Sequence, residues 1–567
     1  MRKLTTVLAL CLLAVACGKK EPASPLDALP DAGVLQLAIS DPASIISNLD
    51  GYIASGVPIA GPNLIMSQIL AASGAVNVDS LAAWLGLDVH GDLAFYMVGV
   101  NPQTIGLAAP VTDPEAFWTR TAEWGVQWTD GDPIGSAVVK VWNAGQMTVN
   151  VAVYRGCLLA AASRAELSTM IDRIEGRAPH ATVPALEPGA LWMKADFSTF
   201  GPMVAGQIAM YRPQILSEIE AGSSEAGGMP GNQQMVSSML GLYFDMIDTF
   251  LRETKTVEYS MVFGPEDFET RCAVVWTEGS SIASTLVPVD VTDYTYLLPS
   301  ANAIAVGRIS LPPELSRAAM SAFFTALGST PDQAYLDLTA EMCRNTCFAM
   351  YNDDQGGMHM VGIYGLPQGV DMDTVKDWIA NSVTAAQSIM GTGNGMTFTA
   401  PKDSVVDGVT YLNYTTTMDF SAMQTGAGAQ MPAPLSVAAW LVEDQGMLLL
   451  EVGPRPSILP AMLSGSVTEP VSDMQYMASA GLEKEAVFGV ELAGYMQMAM
   501  RWAGPGASVM DLSALETHPA WVWSSVDLTE GGMSSSAVCK GAEVAAFIGA
   551  FATAAGSMAT APAPAAQ

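Results

Sequence analysis

Three landmarks of the sequence recur, in the same order, between 260 and 269 residues later. The segment LPDAGVLQLAIS, starting at Leu29, has its counterpart in LPSANAIAVGRIS, starting at Leu298, 269 positions on. Asp113-Pro114-Glu115-Ala116-Phe117-Trp118 is matched by Asp373 to Trp378, 260 positions on. Each of these is a helix start, with a carboxylate at the N-cap and a Trp five residues later. The stretch VEYSMVFGPEDFETRCAVVWTEG is matched by WVWSSVDLTEGGMSSSAVCKGAE, which sets Cys272 against Cys539 at an offset of 267. One alternating strand repeats cheaply. Strand, helix and strand repeating in order is the trace of an internal duplication. The expected fold is α+β: two tandem related modules, each a mostly antiparallel sheet with packed helices, over 28–290 and 291–555. A chain segment of that length can carry its own core.

Local signals fill in the modules. Val34 to Ile39 alternates as a strand, and Asp41-Pro42 opens a helix closed by Asp50-Gly51. Helices are expected near 63–73 and 79–86, strands at 92–100 and 103–110, and a helix from Pro114 to about Trp124. Strands follow at about 137–143, 147–154 and 157–161. Ser163-Arg164-Ala165-Glu166 has the spacing of a capping box. Long helical patterns occupy 203–221 and 235–252, and strands near 257–263 and 269–276 end the first module. The second module repeats this order, with strands near 347–352, 358–364, 409–414, 437–442, 446–451, 521–527 and 533–539. Its helices lie after Pro312 and over 373–381, 456–464 and 495–502. A helix over 543–555 precedes an Ala/Pro tail, 556–567, expected to be disordered.

Half of the residues are apolar, which excludes wholesale disorder. Only 14% are charged, and these are one-sided: 56 acidic against 24 basic, net −32. A phosphate backbone would repel such a surface, so no nucleic-acid partner is expected.

The N-terminus reads MRKLTTVLALCLLAVACGKK. Arg2 and Lys3 are a basic start, and the apolar run Leu4 to Ala16 is too short to span a bilayer and suited to a signal peptide. Leu13-Ala14-Val15-Ala16-Cys17 resembles the lipobox of bacterial lipoproteins. That resemblance covers only the N-terminal segment, with Ala14 where Leu is commonest. It implies cleavage after residue 16, acyl chains such as palmitate on Cys17, and a short tether over 17–27. It further implies a membrane partner through those chains and a place in the bacterial cell envelope. Gly18 after the Cys, rather than Asp, favours the outer membrane over the inner. Several acyl chains hold stably where one would not.

Cysteine and histidine suggest little further chemistry. Cys343 and Cys347 are close enough for a local disulfide if the chain turns between them, whereas on a continuous helix the bridge would not close. Cys157, Cys272 and Cys539 sit in strand-like runs and read as small buried hydrophobes. His90, His180, His359 and His518 lie at no metal-ligand spacing and read as loop or surface residues. No metal and no cofactor are expected. Neither a nucleophile elbow, a zinc-protease motif, a P-loop nor a dinucleotide fingerprint is present. The paired carboxylates Asp130/Asp132 and Asp353-Asp354 could serve acid/base work or Ca²⁺, but both sit in Gly-containing turns that favour Asp for backbone reasons. The sequence has 34 Met. Met229, Met235, Met239 and Met246 fall in one helical region and Met496, Met498 and Met500 in another, as core filling or as an adaptable apolar groove.

The reading is a membrane-anchored envelope lipoprotein with a non-catalytic binding or scaffold role. Its partner would be an envelope protein or an apolar ligand, met near the junction at 285–298. Two alternatives stand beside it: a carrier of lipid or another apolar ligand, and an unrecognised hydrolase. A scaffold calls for polar, filled module interfaces. A carrier calls for a continuous apolar cavity lined by Met, Leu and Phe. A hydrolase calls for a cleft where Ser, Asp and His or two carboxylates converge.

Overall fold

Alternation of period two decides which side chains each strand buries. In β1 (Leu35–Ile39), Gln36 and Ala38 are buried while Leu35, Leu37 and Ile39 are half-buried, so both faces are covered. The computed structural model describes residues 22–56, 77–145, 147–225, 230–326, 330, 332–352, 357–390, 396–398, 402–406, 409–418, 435–442, 445–465, 467–481, 484–502 and 519–559. Cys17, the expected helix at 63–73, Asp353-Asp354 and His518 lie outside them. The protein is α+β, with helices packed on antiparallel sheet.

The described residues gather into two compact units. The first comprises 22–50, 77–195 and 262–264, and the second 51–56, 196–261 and 265–559. The main division between them falls near residue 195. The reason is hydrogen bonding: the strand over Asp267–Trp276 pairs along its length with the strand over Gly532–Lys540.

The first unit contains β1, β2 (Leu93–Met97), β3 (Ile105–Pro110), β4 (Trp128–Asp130), β5 (Val139–Ala144), β6 (Met147–Tyr154), β7 (Cys157–Ala161) and β8 (Ala190–Asp196). They pair antiparallel in the order β4–β5–β6–β7–β3–β2–β1–β8. Its helices are α1 (Pro42–Gly56), α2 (Val78–Leu85), α3 (Pro114–Glu123) and α4 (Arg164–Ile174), the end of α1 from Gly51 belonging to the second unit. Asp113 caps α3 by accepting from the amides of Glu115 and Ala116, with Pro at N1. Ser163 caps α4 by accepting from Glu166 N, and the reciprocal half of the expected capping box is not formed. Glu166 is instead committed to a buried network. Arg173 Nη1 donates to Tyr96 Oη (2.8 Å), Glu166 Oε1 (3.1 Å) and Ala28 O (3.1 Å), and Tyr96 Oη donates to Glu166 Oε1 (2.6 Å). Ala38, Ala94, Leu159, Leu167, Met170 and Trp192 form the core.

The second unit contains helices α5 (Phe197–Glu225) and α6 (Pro230–Glu253), strands β9 (Thr254–Phe263) and β10 (Asp267–Trp276), and the short helix α7 (Ser281–Thr285). Then come β11 (Ala303–Ile309), α8 (Pro313–Ala326), α9 (Gln333–Met342), β12 (Thr346–Asn352), β13 (Met358–Gly365) and α10 (Met372–Met390). They are followed by β14 (Met396–Phe398), β15 (Lys402–Val406), β16 (Val409–Met418), β17 (Leu435–Val442), β18 (Met447–Gly453), α11 (Ile458–Leu463) and α12 (Gln475–Ser479). The chain closes with β19 (Ala486–Glu491), α13 (Leu492–Trp502), β20 (Trp521–Thr529), β21 (Gly532–Lys540) and α14 (Gly541–Ala559). Helix α14 thus runs four residues past the expected start of the tail. Strand order is β15–β16–β17–β18–β13–β12–β11–β19–β20–β21–β10, all antiparallel. Its first eight members repeat the order found in the first unit. The core gathers Val306, Cys347, Val361, Ile363, Leu449 and Trp523. No helix among the described residues is long and apolar enough to cross a membrane.

Candidate functional site

The sequence WVWSS puts Trp521 and Trp523 on one face of β20, because alternate residues of a strand point the same way. Strand register extends that face. Glu269, Val538, Trp523 and Gly489 form one cross-strand row, and Arg271, Ser536, Ser525 and Val487 form the next. Gly489 is required in its place: a Cβ there would lie 2.7 Å from the Trp523 ring. The missing side chain lets the indole lie flat across β19.

Three rings meet on this face. Trp523 stacks on Trp521 (centroids 5.3 Å apart, 19° between planes) and on Tyr476 of α12 (5.7 Å, 25°). Trp523 is 5% exposed and belongs to the core, while Trp521 and Tyr476 are half-buried. Two cavities share Tyr476 and Trp523 as walls. The larger, about 320 Å³, has Ser479, Ser524, Ser525, Ser536, Lys484 and Glu269 around it. The smaller, about 230 Å³, has Trp521, Met474, Gln475, Lys540 and Glu543. Together they fall in the size range of about 300–1,000 Å³ typical of small-molecule sites.

The polar rim is balanced. Lys484 Nζ lies 3.1 Å from Asp527 Oδ2, Arg271 Nε 2.7 Å from Glu269 Oε1, and Lys540 Nζ 3.6 Å from Glu543 Oε1. The Ser525 and Ser536 hydroxyls share a hydrogen bond of 2.8 Å. Burial, and then the carboxylates of Asp267, Glu269 and Glu543, push the Tyr476 phenol above its ordinary value, so it stays protonated as a donor. Stacked aromatic walls with hydroxyl and amide groups beside them can orient a ligand that has both apolar and polar faces.

A Ser–His–carboxylate constellation does occur, in the core rather than in a cleft. His359 of β13 is fully buried, which corrects the expectation of a surface residue. Its Nδ1 lies 2.9 Å from Glu451 Oε1 and 3.3 Å from Ser457 Oγ. Both partners meet the same ring nitrogen, so the ring does not stand between serine and carboxylate as proton transfer in a catalytic triad requires. Glu451 is also occupied by the amides of Ser457 (2.9 Å), Ile458 (3.1 Å) and Leu459 (2.7 Å), which open α11. This is a structural anchor for a helix start.

The remaining sequence candidates are scattered. Cys343 and Cys347 are both free thiols. The expected bridge is absent because Cys347 points into the core, its sulfur accepting from Tyr294 N (3.3 Å), while Cys343 ends α9. Cys157, Cys272 and Cys539 are free as well, and Cys157 and Cys539 are buried. Asp130 pairs with Lys140 (2.7 Å), and the backbone oxygen of Asp132 accepts from Arg164. His90 is exposed between Asp41 and Asp79, and His180 is an exposed bridge partner of Pro30. Among the described residues, no group of His, Cys, Asp and Glu could hold a metal ion. The methionines divide: Met498 is buried, whereas Met246 is 62% exposed. The aromatic groove was missed by motif reading. WVWSS was the available signal, but Tyr476 and Gly489 join it only through the fold.

No family model matches the sequence, and no curated protein matches it. Among solved structures, crystal forms IV, III and I of TP0453, a Treponema protein, align at 9% identity each. They cover 45%, 45% and 46% of this chain and 81%, 81% and 82% of that chain, with TM-scores of 0.24, 0.25 and 0.23. A likeness at that TM-score carries no argument about fold or function.

Proposed function

We propose that this chain is a membrane-tethered bacterial envelope lipoprotein that works by binding rather than by catalysis, with the groove beside Trp521, Trp523 and Tyr476 as its ligand site. The groove carries the reading: stacked rings form its walls, and serine hydroxyls and balanced ion pairs form its rim. The tether rests on the resemblance of Leu13 to Cys17 to a lipobox. The test is ¹⁹F NMR of the full chain labelled with 5-fluorotryptophan, titrated with a mixed fragment library. Shifts confined to the Trp521 and Trp523 signals are expected. Silence of both signals across the library would refute the site.

One observation favours the apolar-ligand reading instead. Helices α5 and α6 expose Met210, Tyr211, Tyr243 and Met246, each more than half accessible. Exposed apolar groups of this size commonly mark contact surfaces. On that reading a hydrophobic dye binds the full chain and is lost in the double variant Met210→Lys/Met246→Lys.

A further inference from the structure

We infer that the ligand of the Trp521–Trp523–Tyr476 groove is a neutral saccharide; this rests on the proposal that the groove is a binding site.

Charge excludes ionic ligands first. Each charged side chain on the rim already faces an opposite one: Lys484 with Asp527, Glu269 with Arg271, Lys540 with Glu543. A phosphate or carboxylate would have to displace one of the carboxylates, and an ammonium would meet Lys484 or Lys540. Neither gains a net countercharge. The chain's net charge of −32 disfavours polyanions further.

Backbone pairing excludes an extended peptide. Strand addition needs an edge with free N–H and C=O groups. Here β20 is paired on both sides, by β19 and β21, and β21 by β20 and β10. The groove lies on the face of a sheet, not along an edge.

Hydroxyl lining excludes an acyl chain. Ser479 donates to Tyr476 O and the Ser525 and Ser536 hydroxyls share one hydrogen bond, which leaves acceptor positions on each oxygen that water can fill and an acyl chain cannot.

What remains is an uncharged molecule with an apolar face and a hydroxylated edge. A pyranose ring has that form: its C–H face stacks on an indole or phenol ring, and its hydroxyls exchange hydrogen bonds with serine, lysine and carboxylate groups. Trp523 is buried and stacked against both neighbours, so the ring surface open to a ligand is that of the half-buried Tyr476, which lines both cavities, and Trp521, which lines the smaller one. That arrangement suits consecutive rings of an oligosaccharide.

The experiment is isothermal titration of the full chain with maltotetraose, cellotetraose and tetra-N-acetylchitotetraose, followed in parallel by ¹⁹F tryptophan signals. At least one should bind saturably and shift Trp521. Trp521→Ala should weaken that binding tenfold or more, and Trp521→Phe should keep most of it. Ser479→Trp, at an exposed position on the rim, should block it without touching the core. Failure of all three oligosaccharides to bind, or binding that survives Ser479→Trp, overturns the saccharide assignment. If the sugars fail while a fragment still shifts Trp521 and is blocked by Ser479→Trp, only the ligand class falls. If nothing shifts Trp521, the binding site falls with it.

Discussion

Phe268 of β10 stands directly opposite Cys539 of β21, and four positions along the same ladder Cys272 stands opposite Ser535. Ser535 lies 267 residues after Phe268, and Cys539 lies 267 after Cys272. Shifting one strand onto the other by that offset therefore maps the ladder onto itself. A local two-fold axis passes between Thr270 and Ala537, which face each other, and the contact is isologous in the sense used for symmetric dimers. The offset is the one that aligns the two cysteines in sequence.

At that axis, Thr270→Pro removes a ladder donor from a strand enclosed in the sheet. The expected loss is more than about 3 kcal/mol of stability, the scale on which proline breaks a regular element. Thr270→Val should be near neutral. Denaturant midpoints of the two variants check this, and a mild proline variant would show that the ladder contributes little.

Glu451 makes the protein acid-sensitive. Burial by itself would raise its carboxyl. The His359 ring and the amides of Leu459, Ser457 and Ile458 more than offset that and hold it below its ordinary value, about 4.5. A depressed carboxyl stabilises above the ordinary value and loses that contribution as pH falls through the depressed one. Stability should fall below about pH 4.5. Glu451→Gln should lower stability at pH 7 by about 1.5–3 kcal/mol, as for a hydrogen bond to a charged group, and flatten the acid limb. Urea melts between pH 3 and 7 decide it, and an unchanged limb counts against the anchor.

His90 has the opposite sign. Its ring lies 3.0 Å from Asp79 Oδ1 and 3.0 Å from Asp41 Oδ1, joining the carboxylates at the starts of α2 and α1, while Asp88 Oδ1 accepts from its backbone amide. Hydrogen bonds to Asp79, then Asp41, raise the imidazole above its ordinary 6.5. Its contribution is complete below 6.5 and disappears as pH rises through the raised value. The melting temperature of the wild type should exceed that of His90→Asn at pH 6 and converge with it in alkaline buffer. A gap that widens with pH would contradict the clip.

Gly489→Ala forces the Trp523 indole off β19. Overpacking of this kind costs about 1–3 kcal/mol. It should also weaken the near-ultraviolet circular dichroism of the stacked Trp521–Trp523 pair. An unaltered spectrum would mean that the ring is not held by that glycine.

Cys17→Ser should abolish fatty-acid labelling and release the chain from membranes. Retention of the serine variant in the membrane fraction would remove the tether from the account.

Much of the fold was legible locally. Asp113-Pro114-Glu115 announced α3 because N-cap chemistry is confined to a few consecutive residues, β6 carries polar and apolar residues in alternation, and β7 is a short apolar run. Helix α9 was not read, since Gln333–Met342 is a weak pattern stabilised by burying Leu336, Ala340 and Met342. The groove was partly legible in WVWSS and otherwise hidden, because Tyr476 and Trp523 lie 47 residues apart, with β19 and α13 between them.

The sequence by itself determined the places of most strands and helices, the recurrence near 267 residues and the net acidity of the chain, because propensity, capping and charge act over short range or by sum. Only the tertiary structure decided that β10 pairs with β21, that His359 is buried against Glu451, and that Gly489 makes room for Trp523. Each depends on which strands become neighbours, and the two-residue period that faces a side chain inward does not say what it will meet there.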